Sequence, residues 1–129
     1  MKFLQKLLLI IFSYSMFLSC QKQQAEIHSI GFYTTTITLV SCEKLKKASH
    51  KKSKVLLDEE NAKLLILFSK LKPIESDTNL DARLYGYVYD KSQKINFCMN
   101  IGIIEINGKK FNVSDELKQY MLLLSRKLK

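Results

Sequence analysis

The order of apolar and polar residues between positions 58 and 71 predicts an amphipathic helix. The apolar residues recur at helical spacing on one stripe: Leu64, Leu67, Phe68 and Leu71. Asp58 stands where it can cap the first turn, and Pro73 ends the pattern. Such a stripe can serve as a groove for a partner, but burial in the core is the simpler interpretation.

A second helix is predicted to begin after Ser114 and to run to the end of the chain. Ser114 is a favourable N-cap, and Asp115 and Glu116 follow in the first turn, where the helix dipole favours anions. The apolar residues again keep helical spacing: Leu117, Tyr120, Met121, Leu124 and Leu128.

Three further stretches have the pattern of strands. Residues 30–42 are dense in β-branched and aromatic side chains, which predicts a strand. Residues 82–89 and 95–101 alternate and are predicted to pair through a loop at residues 90–94. The alternation breaks at Gly102, where we expect a bulge or bend, and Asn107-Gly108 marks another hairpin.

These elements together predict an α+β domain over residues 30–129. The expected architecture is a single antiparallel sheet of about four to five strands with two helices packed on one face, in the order β-α-β-β-β-β-α. This arrangement buries both helical stripes against the apolar face of the sheet.

The N-terminus has the pattern of a secretory signal peptide. Lys2 and Lys6 precede twelve uncharged, mostly apolar residues at positions 7–18. This run is shorter than the roughly 20 residues that a transmembrane helix requires. It is apolar on every side, unlike an amphipathic core helix. We therefore expect export.

The segment Phe17-Leu18-Ser19-Cys20 resembles the lipobox of bacterial lipoproteins, of a kind common in Bacteroidetes. The resemblance implies that residues 1–19 are removed, that Cys20 receives a diacylglycerol and that the new amine is usually acylated. The membrane is then the first partner of the protein, through its acyl chains, because several chains anchor far better than one. Ordinary signal cleavage, with Cys20 left as a plain cysteine, is the alternative.

Residues 20–29 are largely polar and are predicted to form a tether between the acylated cysteine and the domain. The residue after Cys20 is Gln21 and not Asp, which by the same resemblance favours the outer membrane. The expected location is therefore the bacterial cell envelope, lipid-anchored in the outer membrane and facing the periplasm.

The formal net charge of +9 is concentrated in one segment after the first predicted strand. It holds six lysines within eleven residues: Lys44, Lys46, Lys47, Lys51, Lys52 and Lys54. Mutual repulsion favours an exposed loop, which could dock an acidic protein or anionic lipid headgroups, or simply be solvated. Export and the lack of interleaved aromatic residues argue against a nucleic acid partner.

A tyrosine stripe occupies every second position of one predicted strand. Arg83, Tyr85, Tyr87 and Tyr89 would share a face, which we expect to lie away from the helices. Tyrosines offer large, rigid contact area at low entropic cost, so this stripe is a candidate binding surface. Cross-strand pairing that shields the sheet is the structural alternative.

Cys42 and Cys98 form an even pair once Cys20 is acylated. An oxidising compartment favours a disulfide between them, provided that their strands are neighbours or nearly so. Two buried free thiols are the alternative.

The sequence contains no recognisable catalytic, metal-binding or cofactor motif. It has no Gly-rich phosphate loop, no H-E-x-x-H and no C-x-x-C, and His28 and His50 lack the spacing of metal ligands. The hypothesis is therefore a lipid-anchored binding module without catalysis, such as an inhibitor or immunity-type lipoprotein that captures a protein. The alternatives are an envelope-maintenance factor or enzyme acting on lipid or peptidoglycan, and a structural component of an envelope assembly.

Overall fold

The computed structural model describes residues 2–6, 23–75 and 77–129. Residues 2–6 are helical, and the predicted lipobox with Cys20 lies outside the described residues. The remaining elements are β1 (Glu26–Ser29), α1 (Cys42–Lys47), β2 (Lys52–Val55), α2 (Asp58–Ser69), β3 (Leu84–Asp90), β4 (Gln93–Met99), β5 (Ile103–Ile106), β6 (Lys109–Asn112) and α3 (Asp115–Ser125). None of the helices in these ranges is both long and apolar enough to cross a bilayer.

All six strands form one sheet in the order β2-β1-β3-β4-β5-β6, and every neighbouring pair is antiparallel. The predicted α+β class with a single antiparallel sheet is confirmed. The sheet has six strands where four to five were expected, and the element order is β-α-β-α-β-β-β-β-α. The additional elements, α1 and β2, lie in the lysine-rich segment.

The main core lies between the sheet and the two longer helices, α2 and α3. Residues of both predicted helical stripes pack there against the strands: Leu64 and Leu67 of α2, Leu117, Met121 and Leu124 of α3, and Ile27, Val88, Met99 and Ile104 of the sheet. The Ser114 hydroxyl accepts from the Leu117 N–H at 3.2 Å, so the predicted cap is confirmed. In α2 the carboxylate that closes the first turn is Glu60 and not Asp58, because Glu60 accepts from the Leu57 N–H at 2.9 Å.

Strand β1 is an interior strand of the sheet, although its residues were predicted to belong to the polar tether. Ile27 is fully buried and lies between Lys54 of β2 and Gly86 of β3. A Cβ at Gly86 would run into the Glu26 carbonyl oxygen, so the absence of a side chain allows the two strands to approach. A strand of four residues with one apolar side chain is too short to show the alternation that would have predicted it.

The predicted strand at residues 30–42 is wrong, since residues 30–41 form an irregular loop. Gly31 has a φ of +101°, which turns the chain directly after β1. The hydroxyl of Thr34 donates to the Ile30 carbonyl at 2.6 Å, and that of Thr36 to the Thr38 carbonyl at 2.9 Å. High β-propensity means that a residue fits a half-buried pleated surface, and it does not by itself form a strand. Here the glycine turn and the local hydroxyl bonds outweigh this preference and hold the segment as a loop.

The hairpins predicted from local signals are confirmed. Asn107 and Gly108 have φ values of +47° and +85° and join β5 to β6, because a two-residue turn of this type requires positive φ at both positions. The β3–β4 hairpin has the expected pairing but a tighter turn, at Lys91 and Ser92. Residues 101–102 bend the chain between β4 and β5, as expected at Gly102.

Candidate binding face

The second face of the sheet, opposite α2 and α3, carries the tyrosine stripe. Tyr85, Tyr87 and Tyr89 alternate along β3 with the buried residues Leu84, Gly86 and Val88. All three tyrosines are half-buried. We call this side of the sheet, with the residues that β1 and β4 add to it, the tyrosine face.

Tyr85 contacts two basic side chains. The His28 ring from β1 stacks on it with centroids 4.9 Å apart. The Lys51 ammonium group lies 5.1 Å from the ring centroid and donates to the phenolic oxygen at 3.0 Å. Lys51 also donates to the Lys46 carbonyl at the end of α1. These contacts hold Tyr85 in one orientation and connect the sheet to α1.

Tyr87 forms a second cation–aromatic unit beside the first. The Lys94 ammonium group lies 4.1 Å from the centre of its ring, and the ring meets that of Tyr89 edge to face. Burial raises the pKa of Tyr87, and its hydrogen bond to the Glu26 carboxylate raises this pKa further. The single O–H donor of Tyr87 is therefore used by Glu26, and its oxygen can still accept a hydrogen bond.

Helix α1 covers part of the tyrosine face and is attached to it covalently. Cys42 at the start of α1 and Cys98 of β4 are joined by a disulfide, with Cα atoms 6.1 Å apart. Leu45 is fully buried in a small second core with Leu80 and Ala82. A six-residue helix would be marginal alone, so the disulfide and the buried leucine hold it in place.

A groove of about 390 Å³ opens between α1 and the Asn107-Gly108 turn. Tyr85 and Tyr87 contribute its aromatic surface, and the disulfide borders it. The polar lining includes groups of both charges and amides: Glu43, Lys46, Lys94, Asn96, Glu105 and Asn107. An aromatic site with both charges suits an amphipathic ligand such as a segment of a polypeptide.

The lysine-rich segment is ordered, which corrects the prediction of an exposed loop. Lys44, Lys46 and Lys47 belong to α1, whereas Lys52 and Lys54 belong to β2. Repulsion among the lysines is relieved because their side chains separate onto different elements. Four of the six are exposed: Lys44, Lys46, Lys47 and Lys52.

Lys54, in the same segment, pairs with a buried carboxylate, and its side chain is only 16% exposed. Its ammonium group contacts the buried Glu60 carboxylate at 2.8 Å, and the Lys127 ammonium group lies 3.9 Å from the same carboxylate. Burial by itself raises the pKa of Glu60, but the Leu57 N–H and the two lysines outweigh burial and lower it overall.

Arg83 is a structural residue, which corrects its assignment to an exposed stripe. The residue is only 7% exposed and precedes β3. Its guanidinium group donates to both carboxylate oxygens of Asp81, at 2.8 and 2.9 Å, and to the Thr34 carbonyl at 2.9 Å. The Arg83 hydrogen bonds, followed by one from the Val40 N–H, lower the pKa of Asp81.

Sequence reasoning found the tyrosines and cysteines of this face but missed several residues of the groove. Alternation along β4 places Asn96 on the side opposite the apolar residues of this strand, and the hairpin register places it beside Tyr87. The same register would have identified Lys94 as a residue of the groove. No local signal pointed to Glu43 or Asn107, since α1 and the sheet edge meet only in the folded chain.

The two histidines lie apart. His28 stacks in the tyrosine face and contacts Glu26 at 3.3 Å, whereas His50 is exposed. In the described part of the chain, no three His, Cys, Asp or Glu side chains are grouped so as to hold a metal ion.

Comparison with known proteins identifies no relative for this arrangement. No protein-family model matches the chain, and no curated protein or solved structure is significantly similar to it. The functional proposal therefore depends on the residues of the tyrosine face and on the N-terminal pattern.

Proposed function

We propose that this protein is a lipid-anchored, periplasm-facing binding module without catalytic activity of its own. It captures a protein partner in the groove of the tyrosine face, in the manner of an inhibitor or immunity-type lipoprotein. The observation that carries the proposal is the groove itself, in which Tyr85 and Tyr87 are positioned by cationic neighbours beside the wall formed by α1.

The groove has the residue types that dominate protein recognition. Tyr85 and Tyr87 offer rigid aromatic area, and their orientations are already fixed, so a partner loses less conformational entropy on binding. Glu43 and Lys46 on α1, together with Lys94 and Glu105 on the sheet, can pair with charges of either sign. Removal of residues 1–19 takes away Lys2 and Lys6 and leaves a formal net charge of +7, from 19 basic and 12 acidic residues. This charge favours a partner whose own surface is acidic, because long-range attraction speeds the encounter.

The proposed anchor also limits how far the folded domain can lie from the membrane. Ala25 is buried and β1 begins at Glu26, so few residues separate Cys20 from the folded domain. A tether of this length keeps the domain close to the membrane surface.

Metabolic labelling with a fatty-acid probe tests the anchor. The wild-type chain is expected to incorporate the label and the Cys20→Ala variant is not. Equal labelling of the two proteins would contradict the anchor but would leave the groove untested, so the groove needs its own experiment.

Site-specific photo-crosslinking in the organism that carries the gene tests the groove. A photoreactive phenylalanine at Glu43 and, separately, at Glu105 is expected to yield the same crosslinked partner, whereas one at Ile66, on the exposed side of α2, is not. Tyr87→Ala should abolish both crosslinks.

Tyr120→Ala is the matched control for Tyr87→Ala. Tyr120 is also half-buried, a lysine ammonium group lies 5.4 Å from its ring centroid, and it lies outside the groove on α3. Loss of the crosslink in both tyrosine variants, or different products from the two groove positions, would contradict the proposed site.

A further inference from the structure

The loop at residues 31–40 exposes large apolar side chains at the end of the sheet where β1 ends and β3 begins. Ile37 is 105% exposed, Tyr33 71% and Leu39 49%. We call residues 31–40 the threonine-rich loop. Single exposed apolar residues are normal on protein surfaces, but three within seven positions of one loop are characteristic of an interaction surface.

Buried groups fix the base of this loop. Phe32 is packed in the main core at 9% exposure. The Arg83 guanidinium group donates to the Thr34 carbonyl and, at 3.1 Å, to the Thr36 hydroxyl. The Val40 N–H donates to the Asp81 carboxylate at 2.8 Å. The Arg83–Asp81 pair has a buried guanidinium group and a partly exposed carboxylate, and its two parallel hydrogen bonds have a defined geometry. This geometry positions the loop that presents Ile37.

Hydrogen bonds to the rest of the protein secure the two ends of the loop. The Arg83 guanidinium group donates to the Thr34 carbonyl at 2.9 Å, and the Val40 carbonyl accepts from the Ala82 N–H at 2.7 Å. Within the loop, the Thr36 hydroxyl donates to the Thr38 carbonyl at 2.9 Å. These bonds define where the segment that carries Ile37 leaves the surface of the domain.

The surroundings of the loop are basic, and the loop itself is uncharged. Residues 31–42 contain no charged side chain. Arg126 of α3 is exposed and lines a recess of about 490 Å³ with Tyr33. Lys52 is exposed and pairs in register with Ser29, whose hydroxyl accepts from the Gly31 N–H. The carboxylate at the loop base, Asp81, is occupied by Arg83.

We infer that the threonine-rich loop inserts into the interface of an anionic lipid bilayer, with Ile37, Leu39 and Tyr33 among the headgroups and Arg126 and Lys52 on the phosphates. Apolar side chains on an uncharged loop, with exposed cations beside it, fit this surface because the apolar groups and the charges can contact the bilayer together. Tyr33 suits the interface because it combines an apolar ring with a polar hydroxyl.

This contact goes beyond the partner-binding groove and does not require the Cys20 anchor. The four residues of β1 span about 13 Å, so the loop and the proposed tether can reach one bilayer when the strands lie along its surface. The lipid contact would then orient the domain on the membrane.

Tryptophan fluorescence tests the inference directly, because the chain contains no tryptophan. The full-length chain with Ile37→Trp is mixed with vesicles containing about a third phosphatidylglycerol, and separately with pure phosphatidylcholine vesicles. We expect a blue-shifted emission with the anionic vesicles and at least twofold quenching when the lipids carry bromine on their acyl chains. Both effects should weaken with added salt or in phosphatidylcholine.

Matched reporters make the result specific. Ile66→Trp, on the outer side of α2, has 56% exposure and lies outside the loop, so its emission should change little. Leu39→Trp repeats the measurement within the loop, in case the first substitution alters it.

Each other outcome overturns the inference. Unchanged emission from both loop reporters would show that the loop stays in water. Equal quenching at Ile66→Trp would show association of the whole chain without a specific face. A blue shift that grows with protein concentration in the absence of vesicles would assign the loop to contact with a second copy or another protein. Fatty-acid labelling of Cys20 is measured separately, so failure of the anchor and failure of this contact are distinguishable.

Discussion

The two faces of the sheet are built on different principles. The face toward α2 and α3 is packed mainly with apolar side chains, and residues such as Leu64, Ile104 and Met121 are completely buried. The tyrosine face is held by a disulfide, cation–aromatic contacts and a small second core around Leu45. One face obtains its stability from burial of apolar area, and the other positions polar and aromatic groups at a surface that stays accessible.

This difference separates the parts of the protein that determine stability from those that offer recognition. Hydrophobic burial is non-directional, so an apolar stripe can pack against other apolar side chains at any point along its length. Hydrogen bonds, ring contacts and a disulfide have defined geometry, so they orient side chains. Substitutions on the two faces should therefore have different consequences, which the following measurements compare.

Loss of the Cys42–Cys98 disulfide is expected to have the largest effect. Closing a loop with a sequence separation of 56 stabilises by about 4 kcal/mol in the chain-entropy model. Denaturant unfolding with and without reductant measures the loss, and mass spectrometry of the exported protein without reduction should find the two peptides linked. Two freely alkylated thiols would contradict the bond in the mature protein.

Ile27→Ala is expected to lower the free energy of unfolding by about 3 kcal/mol, since the side chain is fully buried in the main core. Ile37→Ala is the control of identical chemistry, and it should change stability by less than about 0.5 kcal/mol because Ile37 is fully exposed. Denaturant titration compares the two. An equally small change in the free energy of unfolding for Ile27→Ala would contradict the burial of Ile27 in β1 and favour the predicted tether at residues 26–29.

Arg83→Met is expected to cost about 1–2 kcal/mol, because the Thr34 carbonyl loses its donor and the Asp81 carboxylate loses its cation. Asp81 keeps its bond from the Val40 N–H and is partly exposed, which limits the loss. The exposed Arg126→Met is the control and should be nearly neutral. Limited proteolysis should also cut the threonine-rich loop faster in Arg83→Met. Unchanged stability and cleavage would contradict the burial of Arg83 and favour its predicted place on the accessible surface.

Stability should fall as the pH drops below the ordinary carboxyl range, in part because the folded-state pKa of Glu60 is lowered. A depressed folded-state pKa contributes stability that is present above the unfolded pKa and is lost as pH falls through the folded pKa. Denaturation curves between about pH 6 and 2.5 measure the slope. Glu60→Gln should flatten it, whereas Glu59→Gln, on an exposed side chain, should not.

The smallest effect is expected for the exposed lysines of the lysine-rich segment. Lys47→Gln with Lys52→Gln should change the free energy of unfolding by less than about 0.5 kcal/mol, because exposed charges contribute little. Association with an acidic partner or anionic vesicles should nevertheless slow, and its salt dependence should flatten. Lys54→Gln is the contrasting variant, since it breaks the contact with buried Glu60 and should destabilise more.

The elements that sequence reasoning found are those with local causes. The stripe of α2, the Ser114 cap of α3 and the Asn107-Gly108 turn each depend on residues within a few positions of one another. The tyrosines of β3 were assigned to the correct face for the same reason, because alternation is a local property. The groove was not predictable, since its wall, α1, meets the sheet through a disulfide that spans 56 positions.

Local patterns in the sequence were enough to predict the α+β class, both long helices and the hairpins. Long-range contacts make Glu26–Ser29 an interior strand, keep residues 30–41 as a loop and bury Arg83. A strand is stabilised by its neighbours, and Ile27 finds them at Lys54 and Gly86, far along the chain. Residues 30–41 have high β-propensity but no such neighbouring strands. Arg83, 49 positions further along the chain, donates to the Thr34 carbonyl and holds this segment as a loop.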